Sequence, residues 1–190
     1  MTLPQNRTEK WKTPWFELSG SDRAWAEQVG LARAAEEMRP NHRPGEPRKH
    51  GHRDYSPETV RALHRTGTIT EFAFARYYGL PFVETYLPDR TSGDVAGRQV
   101  RSTGHRTGCL LMHDTDEDHF AYHLVVWQRD CSLFRVAGWV FGAEGKRLGH
   151  RCEPQPGRPC ILVTQDQLRM PPEPQPGALQ SPAVVFVPSP

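Results

Sequence analysis

The sequence predicts an α+β fold in which N-terminal helices pack on a central mixed or antiparallel sheet of about four to five strands. Apolar residues recur at helical spacing mainly before Gly79. After Asp94, short runs rich in Val, Leu, Phe and Trp alternate with turn residues, as is typical of strands. The 190 residues suffice for one well-cored domain and are too few for two large ones.

The first two expected helices have recognisable starting residues. Residues 22–38 carry apolar side chains at helical spacing, and the preceding Ser21 can accept the first free backbone N–H groups as N-cap. A second, short helix should begin at Pro57, because proline suits the first helical position and Ser56 can cap it.

A third helix is expected over residues 66–78. Thr68 and Glu71 have the spacing of a capping box, in which the two side chains bond to the free N–H groups at a helix start. Gly79 supplies the left-handed residue that commonly ends a helix.

The remaining elements are short strands and helical turns. The connections between the first four strands are short enough for an antiparallel meander. Strands are expected over residues 93–103, 109–113, 120–128, 133–142 and 159–163, with helical turns over 142–150 and 164–168. The expected core contains Trp25, Val29, Leu63, Phe72, Val100, Leu110, Leu124, Val126, Val136 and Trp139.

The chain divides into a domain and two flanking segments. Residues 1–20 are polar with a few aromatics and predict an extended N-terminal arm. Residues 21–169 form the expected domain, which includes a Pro- and Gly-broken basic loop over 39–55. The tail over 170–190 is rich in proline. The arm and the tail are candidate contacts for a protein partner.

Charge is balanced overall but not locally. The 24 Lys and Arg residues against 22 Asp and Glu give a net charge of +2, which demands no polyanionic partner. Basic residues concentrate between Arg39 and Arg65, and this stretch either follows a phosphate backbone or is a solvated loop. The candidate nucleic-acid-binding residues are Arg48, Lys49, Arg53, Arg61, His64 and Arg65.

The cysteines and the hydropathy indicate the setting of the protein. The four cysteines are irregularly spaced and the N-terminus has no secretory signal, which favours a reducing, cytoplasmic location. No apolar run reaches the length of a membrane-spanning helix, so no membrane partner is expected. His150, Cys152 and Cys160 match no compact Cys/His motif, so zinc is not expected.

The segment "GDVAGRQVRST" places three polar side chains around a tight turn. Strand alternation puts Gln99 and Arg101 on one face, and the turn at Ala96 and Gly97 can fold Asp94 back toward them. Asp94 could also simply shape the turn, and the other two could be ordinary solvent-facing residues. Likewise, Glu71 could be a cap, a metal ligand or both.

This order of an acidic helix, an Asp, a turn and a Gln-x-Arg strand resembles the PD-(D/E)XK nuclease superfamily, which has a restriction-endonuclease-like core. It is most similar to small phage-type proteins of that group. The resemblance covers residues 63–168, including "VAGWVFGAEGKR" and "PCILVTQDQL". It implies a Mg²⁺- or Mn²⁺-dependent DNA endonuclease or exonuclease, a hydrolase acting in the cytoplasm of a bacterial host cell.

The resemblance also assigns roles to residues. Asp94 would be the central metal ligand and Glu71 a supporting one, while positions 99 and 101 would hold a second carboxylate and a catalytic lysine. Gln99 instead offers a neutral oxygen, which weakens metal binding. Arg101 keeps the positive charge but cannot readily release a proton. Two alternatives stay open: a nucleic-acid-binding protein that no longer cleaves, and a protein-interaction module.

Overall fold

The computed structural model describes residues 13–38, 55–83, 93–155 and 157–174. Within these ranges the α+β class is confirmed. The elements are β1 (Phe16–Glu17), α1 (Gly20–Glu37), α2 (Pro57–Tyr78), β2 (Arg98–Thr103), β3 (Leu110–Met112), β4 (Ala121–Gln128), β5 (Leu133–Phe141), α3 (Gly142–Leu148), β6 (His150–Gln155), β7 (Arg158–Val163) and a 3-10 turn at Gln165–Gln167. Helices of the described ranges lack the combination of length and apolar character that crossing a membrane requires.

The strands form two sheets rather than one. A four-stranded mixed sheet has the order β1-β5-β4-β2, and a three-stranded sheet has the order β3-β7-β6. The predicted meander is wrong in one place. Strand β3 belongs to the second sheet, so β4 pairs directly with β2, in parallel. The change of sheet goes with burial, because Leu110 and Met112 are fully buried where β3 pairs with β7.

The long helix α2 joins two segments that were predicted as separate helices. Gly67 lies inside it without ending it. Ser56 caps its start and Gly79 ends it in the left-handed conformation with φ 62°, as predicted. The prediction of a capping box formed by Thr68 and Glu71 is wrong, because no helix begins there. In α1 the N-cap is Ser19 rather than Ser21.

Two apolar clusters fill the space on the two sides of the mixed sheet. One packs α1 and α2 against the sheet, and the other lies between the two sheets. Seven predicted core residues are buried: Val29, Phe72, Val100, Leu110, Leu124, Val126 and Val136. Trp25 and Trp139 are only partly buried. Leu63 is a wrong prediction, because it is 45% exposed and lines an open groove.

The helices α1 and α2 approach closely at a glycine. A Cβ on Gly30 would lie 2.9 Å from the carbonyl oxygen of His64 and 2.9 Å from Cα of Arg65. The absence of a side chain therefore permits the close contact of the two backbones. One helical turn further along α1, this packing brings Arg33 beside Glu71 of α2.

Candidate active site at the edge of the mixed sheet

A tight hairpin turns Asp94 back along β2, the last strand in the order of the mixed sheet. Val95 and Arg98 exchange backbone hydrogen bonds of 3.1 Å and 3.0 Å across the turn. The two residues between them, Ala96 and Gly97, have φ values of 46° and 78°. Two left-handed residues in a two-residue loop are typical of a type I′ turn, whose twist matches paired strands. The sequence prediction that this turn folds Asp94 back is confirmed.

The Asp94 carboxylate lies against the strand that carries the other two predicted residues. The backbone N–H of Val100 donates to Oδ2 of Asp94 at 2.7 Å. Val100 belongs to the helix-side cluster, so alternation places its neighbours Gln99 and Arg101 on the opposite face of β2. Both are partly buried, and the Arg101 guanidinium lies over the Tyr122 ring at 5.5 Å.

Glu71 reaches the same site from α2. Its Oε2 accepts a hydrogen bond from the Arg33 guanidinium at 2.7 Å, and the two side chains are only 18% and 15% exposed. Burial, with a smaller contribution from the negative charge of Asp94, raises the pKa of Glu71 from 4.5 to about 7 against the attraction of Arg33. Arg101 acts in the opposite direction. Glu71, Asp94 and Arg101 are therefore close enough to interact electrostatically.

Asp94 combines solvent access with a raised pKa. The residue as a whole is exposed. The protein atoms around its carboxylate nevertheless exclude enough water to raise its pKa, while the Val100 N–H and the cations Arg101 and Arg33 lower it. Asp116 adds a further negative charge nearby that raises it. Two carboxylates that both resist ionisation are typical of a site that gains from binding a cation.

Sequence reasoning missed Asp116. This residue follows β3, is 12% exposed on its side chain, and accepts a hydrogen bond from Arg101 at 3.2 Å. Its second oxygen accepts the backbone N–H of His113 at 2.9 Å, and its carbonyl oxygen accepts from Lys146. Asp116 lies in the connection between two predicted strands, and nothing local in the sequence connects it to β2.

Arg33 was also missed, although a signal for it exists. It lies four residues after the buried Val29, so both residues share the face of α1 that meets α2. A charged residue on that face requires a partner, and Glu71 supplies it. With every group ionised, the three carboxylates of Glu71, Asp94 and Asp116 outweigh the two guanidinium groups of Arg33 and Arg101 by one negative charge.

The donor set at this site suits a hard cation but is incomplete. In the described ranges, no group of three or more His, Cys, Asp or Glu side chains is arranged to hold a metal ion. Asp94 and Glu71 are the two carboxylates that could hold an ion, whereas Gln99 lies on the face of β2 away from α2 and offers only an amide oxygen. Because an amide carries no charge, such a site binds weakly.

The predicted phosphate-binding residues are divided between described and undescribed parts of the chain. Arg48, Lys49 and Arg53 lie outside the described residues. Arg61 lies on α2 with 51% of its side chain exposed, and among the described residues it forms an ion pair with Glu58 at 3.7 Å. Its guanidinium is therefore accessible to a phosphate.

His64 and Arg65 instead connect elements of the fold. His64 Nε2 bonds to Glu37 of α1. Arg65 donates to Glu27 at 2.6 Å and lies within 3.3 Å of Asp130. Glu27 and Asp130 offset the charge of Arg65, and the contacts of both residues fasten α2 to α1 and to the turn between β4 and β5.

Comparison with protein-family models, curated proteins and solved structures gave no match for this chain. The restriction-endonuclease-like core therefore remains a prediction from the sequence motif. The chemistry of the site itself is the basis for inferring function.

Proposed function

We propose that this protein is a Mg²⁺- or Mn²⁺-dependent DNA hydrolase of PD-(D/E)XK type with a weakened metal site. The observation that carries the proposal is the proximity of two carboxylates, Glu71 of α2 and Asp94 of the hairpin before β2, which lie close enough for the charge of Asp94 to raise the pKa of Glu71. Arg101 of β2 supplies a cation to the same cluster. Paired carboxylates beside a cation are what metal-assisted phosphodiester hydrolysis requires.

The carboxylates would hold the ion. Asp94, which the Val100 N–H orients, would be the principal ligand and Glu71 a supporting one. Gln99 would be a weak third ligand that reaches the ion from the other face of β2, the edge strand of the sheet. When bound, a divalent ion polarises the scissile phosphate and lowers the pKa of an attacking water. The repulsion between Glu71 and Asp94, which raises the pKa of Glu71, favours uptake of such an ion.

Arg101 would bind the phosphate. Its side chain is 33% exposed, is held by Asp116 and stacks on Tyr122, so the guanidinium is oriented before a ligand arrives. A guanidinium can bind two phosphate oxygens and stabilise the charge that develops on them. Because it stays protonated, Arg101 contributes charge and not proton transfer.

A DNA-binding protein without cleavage is the second candidate. The observation in its favour is the 2.7 Å ion pair between Arg33 and Glu71, which already occupies one carboxylate of the proposed metal site. Gln99 removes a further charge. In this case the basic residues around Arg61 would bind DNA while the carboxylate pair serves only the fold.

Cleavage of DNA by the purified full chain tests the proposal. Supercoiled plasmid and linear DNA are incubated with Mg²⁺ or Mn²⁺ and with wild-type protein, Asp94→Asn or Glu17→Gln. Asparagine can still accept the Val100 hydrogen bond, and Glu17 is an exposed carboxylate on β1, at the opposite end of the sheet order. We expect metal-dependent cutting by wild type and Glu17→Gln that is lost in Asp94→Asn. Equal DNA binding with no cutting by any of the three would instead establish the second candidate.

A further inference from the structure

Two cysteines face each other across the hairpin of β6 and β7. Cys152 and Cys160 are directly opposite in the antiparallel register. Their Sγ atoms are 3.5 Å apart, and both cysteines are free thiols. Cys152 is partly exposed, whereas Cys160 is 4% exposed. The pair belongs to the second sheet and takes no part in the carboxylate cluster.

This geometry suits a disulfide. Directly opposite residues in an antiparallel pair have Cα atoms about 4.5–5.5 Å apart, and disulfides form at Cα separations of about 4.4–6.8 Å. The backbone therefore already satisfies the requirement, and the sulfurs need to approach by only about 1.5 Å to reach bonding distance. Rotation of the cysteine side chains can supply such a movement without a change of register.

We propose that Cys152 and Cys160 are a reversible redox pair that low-molecular-weight disulfides, such as oxidised glutathione, convert to an intrachain disulfide. The Cys152 thiolate attacks glutathione disulfide, forms a mixed disulfide and releases one glutathione thiolate. The Cys160 thiolate then attacks Sγ of Cys152 and releases the second. The two protons lost by the cysteines end on the two glutathione thiols, and the two electrons reduce the glutathione disulfide.

The surroundings of the two thiols set the order of these steps. The reagent can reach Cys152, because it is partly exposed. Burial and the neighbouring Cys152 raise the pKa of Cys160, so Cys160 is the poorer first nucleophile and acts in the second step. In a reducing compartment such a disulfide would form transiently.

Peptide mass analysis of the full chain tests the proposal. The native protein is treated with oxidised glutathione, then alkylated in denaturant and digested with trypsin. Trypsin leaves both cysteines in one peptide, residues 152–169, because Pro159 blocks cleavage after Arg158. We expect this peptide to carry no alkyl label and to be two hydrogens lighter than the reduced, unlabelled peptide. After reduction with dithiothreitol and renewed alkylation, it should carry both labels.

Three variants make the result specific. A Cys109→Ser, Cys131→Ser double variant should close the disulfide as wild type does, since neither residue belongs to the pair. In Cys152→Ser, Cys160 should remain open to alkylation. A peptide that keeps both alkyl labels would overturn the proposal, and so would one that retains glutathione on Cys152 without closing. Circular dichroism checks that each variant is folded.

Discussion

Replacement of Glu71 by Gln should change how the stability of the protein depends on pH. The folded state raises the pKa of Glu71 from 4.5 to about 7, so it holds this proton more tightly than the unfolded chain does. Ionisation of Glu71 therefore destabilises the folded state as the pH rises from about 4.5 to about 7. Since one pKa unit corresponds to about 1.4 kcal/mol, the full effect is about 3 kcal/mol.

His123 produces a pH dependence of opposite sign, which makes the comparison of variants necessary. Burial, with a smaller contribution from Arg98, lowers the pKa of His123 from 6.5 to about 3. Between these two pH values His123 is protonated in the unfolded chain but not in the folded state, so stability is lost as the pH falls from about 6.5 toward 3. The free energy of unfolding of wild type varies with pH through both residues. His123 is present in both proteins, so its contribution cancels in the difference between wild type and Glu71→Gln, which leaves the effect of Glu71.

Urea unfolding of both proteins at about pH 5 and about pH 8 measures this difference. The free energy of unfolding of Glu71→Gln should rise relative to that of wild type by most of these roughly 3 kcal/mol between the two pH values. Glu17→Gln is the control, because Glu17 is 63% exposed and lies outside the cluster. A difference between wild type and Glu71→Gln that stays constant with pH would refute the reasoning that burial and Asp94 raise the pKa of Glu71.

Three further substitutions probe the packing and the charges. Thermal unfolding should show that Gly30→Ala destabilises the protein by about 2 kcal/mol, because its Cβ would meet α2 at 2.9 Å. Gly67→Ala should stabilise the protein by about 1 kcal/mol, because alanine favours a helix more than glycine does and no atom lies within 4 Å of the added Cβ. Equal effects of the two substitutions would contradict this packing argument. Arg65→Ala should cost about 1 kcal/mol in urea unfolding through loss of its ion pairs and leave the salt dependence of DNA binding unchanged; a shallower salt slope would instead indicate a phosphate contact. Gln99→Glu should tighten Mn²⁺ binding about tenfold in calorimetry by restoring a carboxylate, and unchanged affinity would show that residue 99 is no ligand.

Local signals predicted the parts of the site that local structure determines. Ala96 and Gly97 indicate a two-residue turn, and strand alternation places Gln99 and Arg101 on one face, so the position of Asp94 followed from sequence. Turn type and alternation depend on neighbouring residues only, which is why these predictions succeeded.

Long-range pairing could not be predicted in the same way. The short connections of β3 suit an antiparallel meander as well as a change of sheet, and only the burial of Leu110 and Met112 against β7 decides between them. Asp116, which follows β3, lies beside Arg101 because β3 belongs to the second sheet. Arg33 pairs with Glu71 one helical turn from Gly30, where α1 and α2 approach closely. Both contacts depend on tertiary packing.

Calorimetric titration with Mn²⁺ tests the central claim, that Glu71 and Asp94 form one cation-binding carboxylate pair. Wild type and Asp94→Asn are titrated at about pH 8, where Glu71 is ionised. We expect wild type to bind one ion per chain and to release the Glu71 proton when the titration is repeated at about pH 6, and we expect Asp94→Asn to lose this binding. Equal binding by the two proteins, or none by wild type, would contradict the account.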